Sequence, residues 1–335
     1  MTNAILTCSP DFTDMALNEL RRHHPQLTVS QQIAPGYTIV SLLQSFDILT
    51  QPWRHRLPIY LHHLFPIHST IVLDAANPNW QELQEAVQQL APADVTLQVR
   101  CVGEIDLKIF EADVYKLLDR APKVDCSHIP TGRIVSILVS QNLEGIVAYL
   151  GVSWATQNIS PWAGGQIPIT EPVSNRAGYK LLEALDAFSI RLRPNDLALD
   201  LGAAPGAWTT ILRRRGLCVT TVAPAPLYPW LALDEGVIHF PMLAEEYLGQ
   251  CQTTFDLIVN DMKLDTQDSA RLMVEYAQHL RPQGIAIMTL KLRDRNRRRI
   301  TDHALRILRQ AYKIIRMRQL VSNRNELTLY LRRKT

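Results

Sequence analysis

The segment Leu197-Ala198-Leu199-Asp200-Leu201 reads as a short apolar strand carrying an acid near its end. It runs straight into Gly202-Ala203-Ala204-Pro205-Gly206-Ala207-Trp208 and then into the helical run Thr209 to Arg215. A strand, a tight turn of small residues and a helix start make the junction at which backbone can approach a nucleotide-like ligand in an open α/β sheet. The glycine spacing is Gly-x-x-x-Gly, unlike the Gly-x-Gly-x-x-Gly of dinucleotide sites. Pro205 also removes an amide that a phosphate cradle would use. The junction therefore suits an adenosine-type cofactor without phosphates. A plain tight turn can share this spacing, so the flanking elements decide, and here both are in place.

The same organisation continues around the junction. From Asn175 onward, strand candidates Leu197 to Leu201, Leu217 to Ala223, Val237 to Phe240, Phe255 to Asp261 and Gly284 to Lys291 alternate with helical stretches. Such alternation predicts a doubly wound, Rossmann-like α/β domain with a parallel sheet. Lys313 to Val321 and Glu326 to Arg332, joined by Ser322-Asn323-Arg324-Asn325, predict a terminal antiparallel hairpin closing that sheet. The N-terminal part mixes elements and predicts an α+β domain. Its strands are Ala4 to Cys8, Tyr37 to Leu42, Val95 to Cys101, and a hairpin of Arg133 to Ser140 with Gly145 to Val152. Its helices are Asp11 to Arg22, Trp80 to Leu90 and Phe110 to Arg120, and Ile59 to Leu73 holds one long strand or two. A stretch with three prolines and Gly164-Gly165 follows, so the expected division is 1–157, a linker 158–174, and 175–335.

Charge narrows the partners. Residues 1–170 carry 10 Lys/Arg against 15 Asp/Glu (net −5), residues 171–280 carry 9 against 14 (net −5), and residues 281–335 carry 16 against 3 (net +13). A basic excess confined to the last 55 residues suggests a polyanion, most simply nucleic acid; a solvated basic surface is the plainer alternative. No apolar run approaches the ~18 residues of a membrane span. The N-terminus lacks the pattern of a signal peptide, and five scattered cysteines suggest neither disulfides nor a zinc site. The expectation is a cytoplasmic protein, not membrane-bound. His62, His63 and His68 lie in an apolar run without a matching acid or cysteine cluster, so no metal is expected.

Asp200-Leu201-Gly202-Ala203-Ala204-Pro205-Gly206 resembles the S-adenosylmethionine motif of FtsJ-type RNA ribose 2′-O-methyltransferases. Ser160-Pro161-Trp162, Asn175-Arg176-Ala177-Gly178-Tyr179-Lys180-Leu181, Thr289-Leu290-Lys291-Leu292 and Arg324-Asn325-Glu326-Leu327-Thr328 resemble the RlmM-type branch, which modifies a cytidine of large-subunit ribosomal RNA. So does the opening Ala4 to Phe12. The resemblance implies S-adenosylmethionine as cofactor, held around Asp200, Gly202, Ala204, Pro205, Gly206, Ala207, Trp208 and Asp261. It implies RNA as partner, a THUMP-like RNA-recognition domain at the N-terminus, and a catalytic Lys-Asp-Lys-Glu tetrad matching Lys180, Asp261, Lys291 and Glu326.

Geometry points separately to the same four residues. Asp261 and Lys291 end parallel strands, so both lie on the edge where ligands bind. Glu326 begins an antiparallel strand on that edge, and Lys180 projects toward it from the first turn of the preceding helix, whose apolar face is Leu181, Leu182, Leu185 and Phe188. Taken singly, each has a plainer role: a solvated lysine, an Asp261 helix cap, a Glu326–Arg324 surface pair. Convergence beside the cofactor loop favours chemistry. Lys291 is expected as general base, which requires a neutral amine and so a pKa below the ~10.4 of a free lysine. Protonated Lys291 steering the hydroxyl is the alternative. Asp261 would orient Lys291, and Glu326 would position Lys180 or the ribose.

The chain departs from the family at the cofactor ribose. The usual acid after the second strand is replaced by Ala223-Pro224-Ala225-Pro226, and that after the third strand by Phe240-Pro241-Met242-Leu243, with Glu245 and Glu246 further on. One lost charged hydrogen bond is worth ~1.5–3 kcal/mol. That keeps a second expectation in view, an RNA-binding protein with a decayed cofactor pocket. Arg293, Arg295, Arg297, Arg298 and Arg299 follow Lys291, and Arg324 precedes Glu326. These six are the expected RNA-backbone contacts, since the planar guanidinium fork suits phosphate.

Overall fold

The computed structural model describes residues 2–54, 56–73, 80–90, 95–103, 132–142, 145–160, 162–166, 169, 171–292 and 296–335. Its contacts divide the chain into two units, Met1–Pro168 and Ile169–Thr335. The expected helix over 110–120, Arg293 and Arg295 lie outside the described residues.

The C-terminal unit is a doubly wound, Rossmann-like α/β domain. Its central strand β9 (Leu197–Leu201) is flanked by β10 (Cys218–Val222) and β12 (Phe255–Asn260). Outward from these lie β11 (Val237–Phe240) on one side, and β13 (Leu280–Lys291), β15 (Glu326–Arg333) and β14 (Tyr312–Arg318) on the other. The order is β11-β10-β9-β12-β13-β15-β14. The first five strands are parallel, and β15 is antiparallel to both neighbours. Leu199 and Ile258, partners in register, are fully buried, as expected of strands covered on both faces. The order reverses between β9 and β12, and at such a switch point the loops leaving the two strands diverge and open a crevice.

Helix α4 (Arg176–Ala187) precedes β9, and α5 (Ala207–Arg214) follows it. Two short helices, α6 (Pro229–Ala232) and α7 (Ala244–Leu248), follow β10 and β11. Asn175 caps α4, its side chain accepting the Ala177 N–H at 2.8 Å. Leu181, Leu182, Leu185 and Phe188 are buried with Trp208, Ile211 and Leu212 of α5 in one core cluster. Lys180 is the fifth residue of α4, so it belongs to the second turn, not the first. Gly202 and Gly206 shape the β9–α5 turn with φ of +75° and +114°. A Cβ at Gly202 would run into the Met262 side chain, and one at Gly206 into Leu231.

Several boundaries differ from expectation. β12 stops at Asn260, because the buried Asn260 side chain accepts the Met262 N–H at 3.0 Å and turns the chain out of the strand. β13 begins at Leu280, before Gly284, and β14 ends at Arg318, leaving 319–325 to the turn.

Among the described residues, the N-terminal unit is α+β, with two four-stranded sheets. β1 (Thr2–Cys8), β2 (Thr28–Ala34), β3 (Tyr37–Leu42) and β4 (Leu61–Pro66) form one, ordered β2-β3-β1-β4. β5 (Ser69–Leu73), β6 (Val95–Val102), β7 (Arg133–Asn142) and β8 (Gly145–Trp154) form the other, ordered β5-β8-β7-β6. The apolar run 59–73 is thus two strands, one in each sheet. Among the described residues, helices α1 (Thr13–His23), α2 (Phe46–Thr50) and α3 (Trp80–Leu90) also belong to the unit. The stretch expected as a linker is shared between the units. Asn158 is buried and bonds Ser153 Oγ at 2.8 Å, whereas Glu171 pairs with Arg215 at 2.5 Å.

Candidate active site

Lys180, Asp261, Lys291 and Glu326 meet on the edge where β9, β12 and β13 end. The register explains why: Lys291, the last residue of β13, is paired directly with Glu326, the first of antiparallel β15. Asp261 follows the turn made by Asn260. It is not a helix cap; Asp265 caps α8 (Thr266–Tyr276) instead, accepting the Gln267 N–H.

Two amines and two carboxylates alternate around a closed ring. Lys291 Nζ lies 2.5 Å from Asp261 Oδ1 and 3.1 Å from Glu326 Oε1. Lys180 Nζ lies 3.2 Å from Asp261 Oδ2 and 2.7 Å from Glu326 Oε2. All are largely withdrawn from solvent, from 7% side-chain exposure at Lys291 to 16% at Asp261. Pairs this dry are held by mutual attraction against a desolvation cost, so the ring stands or falls together. Burial works against the charged form of Lys180, yet Asp261 and Glu326 more than offset it and hold the amine above the ordinary lysine range. Lys180 therefore keeps its proton near neutral pH.

Two threonines not singled out by the sequence fix the ring. Buried Thr289 donates its hydroxyl to Asp261 Oδ1 at 2.6 Å, and Thr266 donates to the Lys291 carbonyl oxygen at 2.5 Å. Thr289 lies in the quoted motif two residues before Lys291, the same-face spacing of a strand, which is the signal that could have found it.

Beside the ring, a cavity of about 530 Å³ opens at the switch point. Asp200, Gly202, Ala204, Pro205, Ala207, Trp208 and Asp261 line it; Gly206 is absent from the lining and backs onto Leu231. Asp200 is buried at the floor and accepts the Thr209 hydroxyl at 2.7 Å. Burial pushes its carboxyl up to about 7, against the Thr209 bond and with help from the Asp261 charge. Trp208 spends its indole N–H on the Ala177 carbonyl at 2.7 Å, so it serves as a wall. The far wall includes Ala223, Pro224, Ala225, Met242 and Leu243, with no acid at either expected position, but Glu245 does line the cavity. The volume lies within the ~300–1,000 Å³ of small-ligand sites. An apolar wall facing buried and partly exposed carboxylates suits a neutral or cationic nucleoside-type ligand better than a phosphorylated one, so the residues present fit S-adenosylmethionine.

Arg297, Arg298 and Arg299 open α9 (Arg297–Leu308). Arg297 donates to the Leu292 carbonyl at 3.2 Å and to Asn325 Oδ1 at 3.1 Å, and so ties the helix start to the turn before β15. Arg298, Arg299 and Arg324 are exposed. Among the described residues, no acid, histidine and cysteine group has metal-site geometry, and no helix is long and apolar enough to cross a membrane.

Residues 173–292 match the FtsJ-like methyltransferase family. Relatives include proteins named ribosomal RNA large subunit methyltransferase M. The one from Halorhodospira halophila is 35% identical over 177 residues, 51% of each chain. Another, from Cellvibrio japonicus, is 31% identical over 206 residues, 57% of each chain. The chain thus matches about half the length of these curated relatives. The fibrillarin/Nop5p complex includes a chain of similar structure, with a TM-score of 0.42 and 16% identity over 50% of this chain and 88% of that one.

Proposed function

We propose, from the match of residues 173–292 to the FtsJ-like methyltransferase family, that this protein transfers a methyl group to a ribose 2′-hydroxyl of RNA. The substrate is large-subunit ribosomal RNA, in keeping with the names of its relatives; the acceptor is a cytidine, as the motif resemblance implies, and the site of action is the cytoplasm. The alternating ring of Lys180, Asp261, Lys291 and Glu326 beside the cavity is the observation that carries this reading.

S-adenosylmethionine, when bound, supplies a methyl group on a sulfonium. Asp200, the turn 202–208 and Asp261 hold it, and the cavity walls exclude water. The ring orients the hydroxyl for in-line displacement, where alignment contributes much of the rate. Lys180 keeps its ammonium and neutralises the two carboxylates. Lys291 accepts the hydroxyl proton, and Asp261 and Glu326, already hydrogen-bonded to its amine, stabilise the positive charge that forms there. Arg298, Arg299, Arg324, Arg293 and Arg295 contact RNA phosphates, which positions the strand without choosing its sequence. The N-terminal unit serves as a THUMP-like RNA-recognition domain. The open cavity counts against a decayed pocket.

The test is methyl transfer from tritiated S-adenosylmethionine to unmodified large-subunit ribosomal RNA, followed by digestion to nucleosides. Label in 2′-O-methylcytidine supports the proposal. Label on a base, or none, overturns it.

A further inference from the structure

We infer that Glu183 is a positioning residue of this site: from the helix that carries Lys180 it grips the turn that leads into Glu326, and so sets the Lys180–Glu326 contact. The inference rests on the methyl-transfer reading above.

Glu183 is only 4% exposed and sits among the leucines of α4. An unpaired carboxylate there would be costly, and both of its oxygens are used. The Val321 N–H donates to Oε1 and the Ser322 N–H to Oε2, each at 2.7 Å, and the Ser322 hydroxyl further favours the charged carboxylate. Lys180 and Glu183 are spaced i, i+3, so they are neighbours on the helix surface.

The turn 319–325 is stitched to itself and to the sheet. Asn323 Oδ1 accepts the Leu320 N–H at 2.9 Å and the Thr328 hydroxyl at 3.0 Å, and the Leu292 N–H donates to the Asn325 carbonyl at 2.7 Å. It therefore moves with the start of β15, and Glu183 fastens that body to α4. The neighbouring link is weak, since Arg176 reaches the Ser322 carbonyl at 3.5 Å. On its other side, α4 is joined to the cavity wall through the Ala177–Trp208 bond. Loosening the Glu183 grip should therefore disturb the ring and spare the cavity.

Two variants of the full chain test this. Glutamine in E183Q offers one acceptor oxygen and turns an NH2 toward the second N–H. S322A removes only the hydroxyl. E183Q should slow single-turnover methyl transfer to unmodified large-subunit ribosomal RNA about 10- to 100-fold, because an error of about 1 Å in alignment costs that much. S-adenosylmethionine affinity, measured by calorimetry, should stay within about twofold, since the loss belongs to the chemical step. S322A should show the same split with a smaller loss, and it carries the test if E183Q does not fold. In an E326Q background, E183Q should cost much less than it does alone, because its route of action is already broken. Unchanged rates, an equal loss of cofactor affinity, or losses that simply multiply would overturn the inference. If the wild-type chain transfers no methyl group, the reaction assignment fails by itself. Crystal structures of wild type and E183Q then decide: Lys180 and Glu326 more than about 4 Å apart in the variant supports the positioning role, and an unchanged ion pair refutes it.

Discussion

Replacing Lys291 by alanine removes the amine that joins Asp261 Oδ1 at 2.5 Å to Glu326 Oε1 at 3.1 Å. Neither carboxylate is left alone. Asp261 keeps the Thr289 hydroxyl at 2.6 Å and Lys180 at 3.2 Å, and Glu326 keeps Lys180 at 2.7 Å. The stability cost should therefore fall below the ~3–5 kcal/mol of a buried charge wholly deprived of its partner, at about 1.5–3 kcal/mol. The rate should fall further, because loss of a positioned proton acceptor costs about 10²–10⁴-fold. Lys291 is outside the set of residues lining the cavity, so cofactor affinity should hold within about threefold. Rapid-quench single turnover at saturating S-adenosylmethionine measures the rate, calorimetry the affinity, and thermal unfolding the fold. A folded Lys291→Ala protein that keeps more than about a tenth of the wild-type rate would remove Lys291 as the proton acceptor.

Changing Arg298 and Arg299 together to alanine should flatten the slope of log RNA affinity against log salt by up to ~1.4 units, at ~0.7 per neutralised phosphate. Correct and incorrect RNA should weaken alike, and filter-binding lines parallel to wild type would refute the phosphate role. Asp200→Asn tests the buried acid. With a folded pKa of about 7, above its unfolded value, folded Asp200 retains a proton that the unfolded chain releases between about pH 4 and 7, so stability is lost as pH rises through that window. The Asp200→Asn protein escapes this loss, so its Tm should gain on wild type from about pH 4 to 8; a pH-independent gap would contradict the assignment. Ala223→Asp supplies a carboxylate to the apolar cavity wall and should tighten S-adenosylmethionine binding by roughly 10-fold or more if the ribose lies there. Unchanged or weaker calorimetric affinity in a folded protein would mean that the cofactor is held differently.

Much of the candidate site was legible because strand direction alone places residues. Asp261 follows one parallel strand, Lys291 ends another and Glu326 opens an antiparallel one, so all three had to share an edge, and the register sets Lys291 against Glu326. What escaped notice was long-range or local beyond any pattern. Glu183 meets Val321 and Ser322 across 138 residues or more, a contact no periodicity announces. Arg297 was grouped with its neighbours by composition, yet it alone of the three helix-opening arginines turns back to Leu292 and Asn325. In the N-terminal unit, β2 was missed because most of its residues are exposed on both faces and leave no alternation to read, and α2 is too short to show a period. The run 59–73 is apolar with interspersed histidines, so only the pairing of β4 with β1 and of β5 with β8 reveals the break at Ile67-His68.

The most direct test of the central claim is ribose-methylation mapping of ribosomal RNA from cells with and without this protein. One cytidine of the large-subunit RNA should lose its 2′-O-methyl group in the deleted strain. Wild-type protein should restore it, and Lys291→Ala protein at equal abundance should not. An unchanged methylation map, or full restoration by the Lys291→Ala protein, would contradict ribose methylation by this ring of charges.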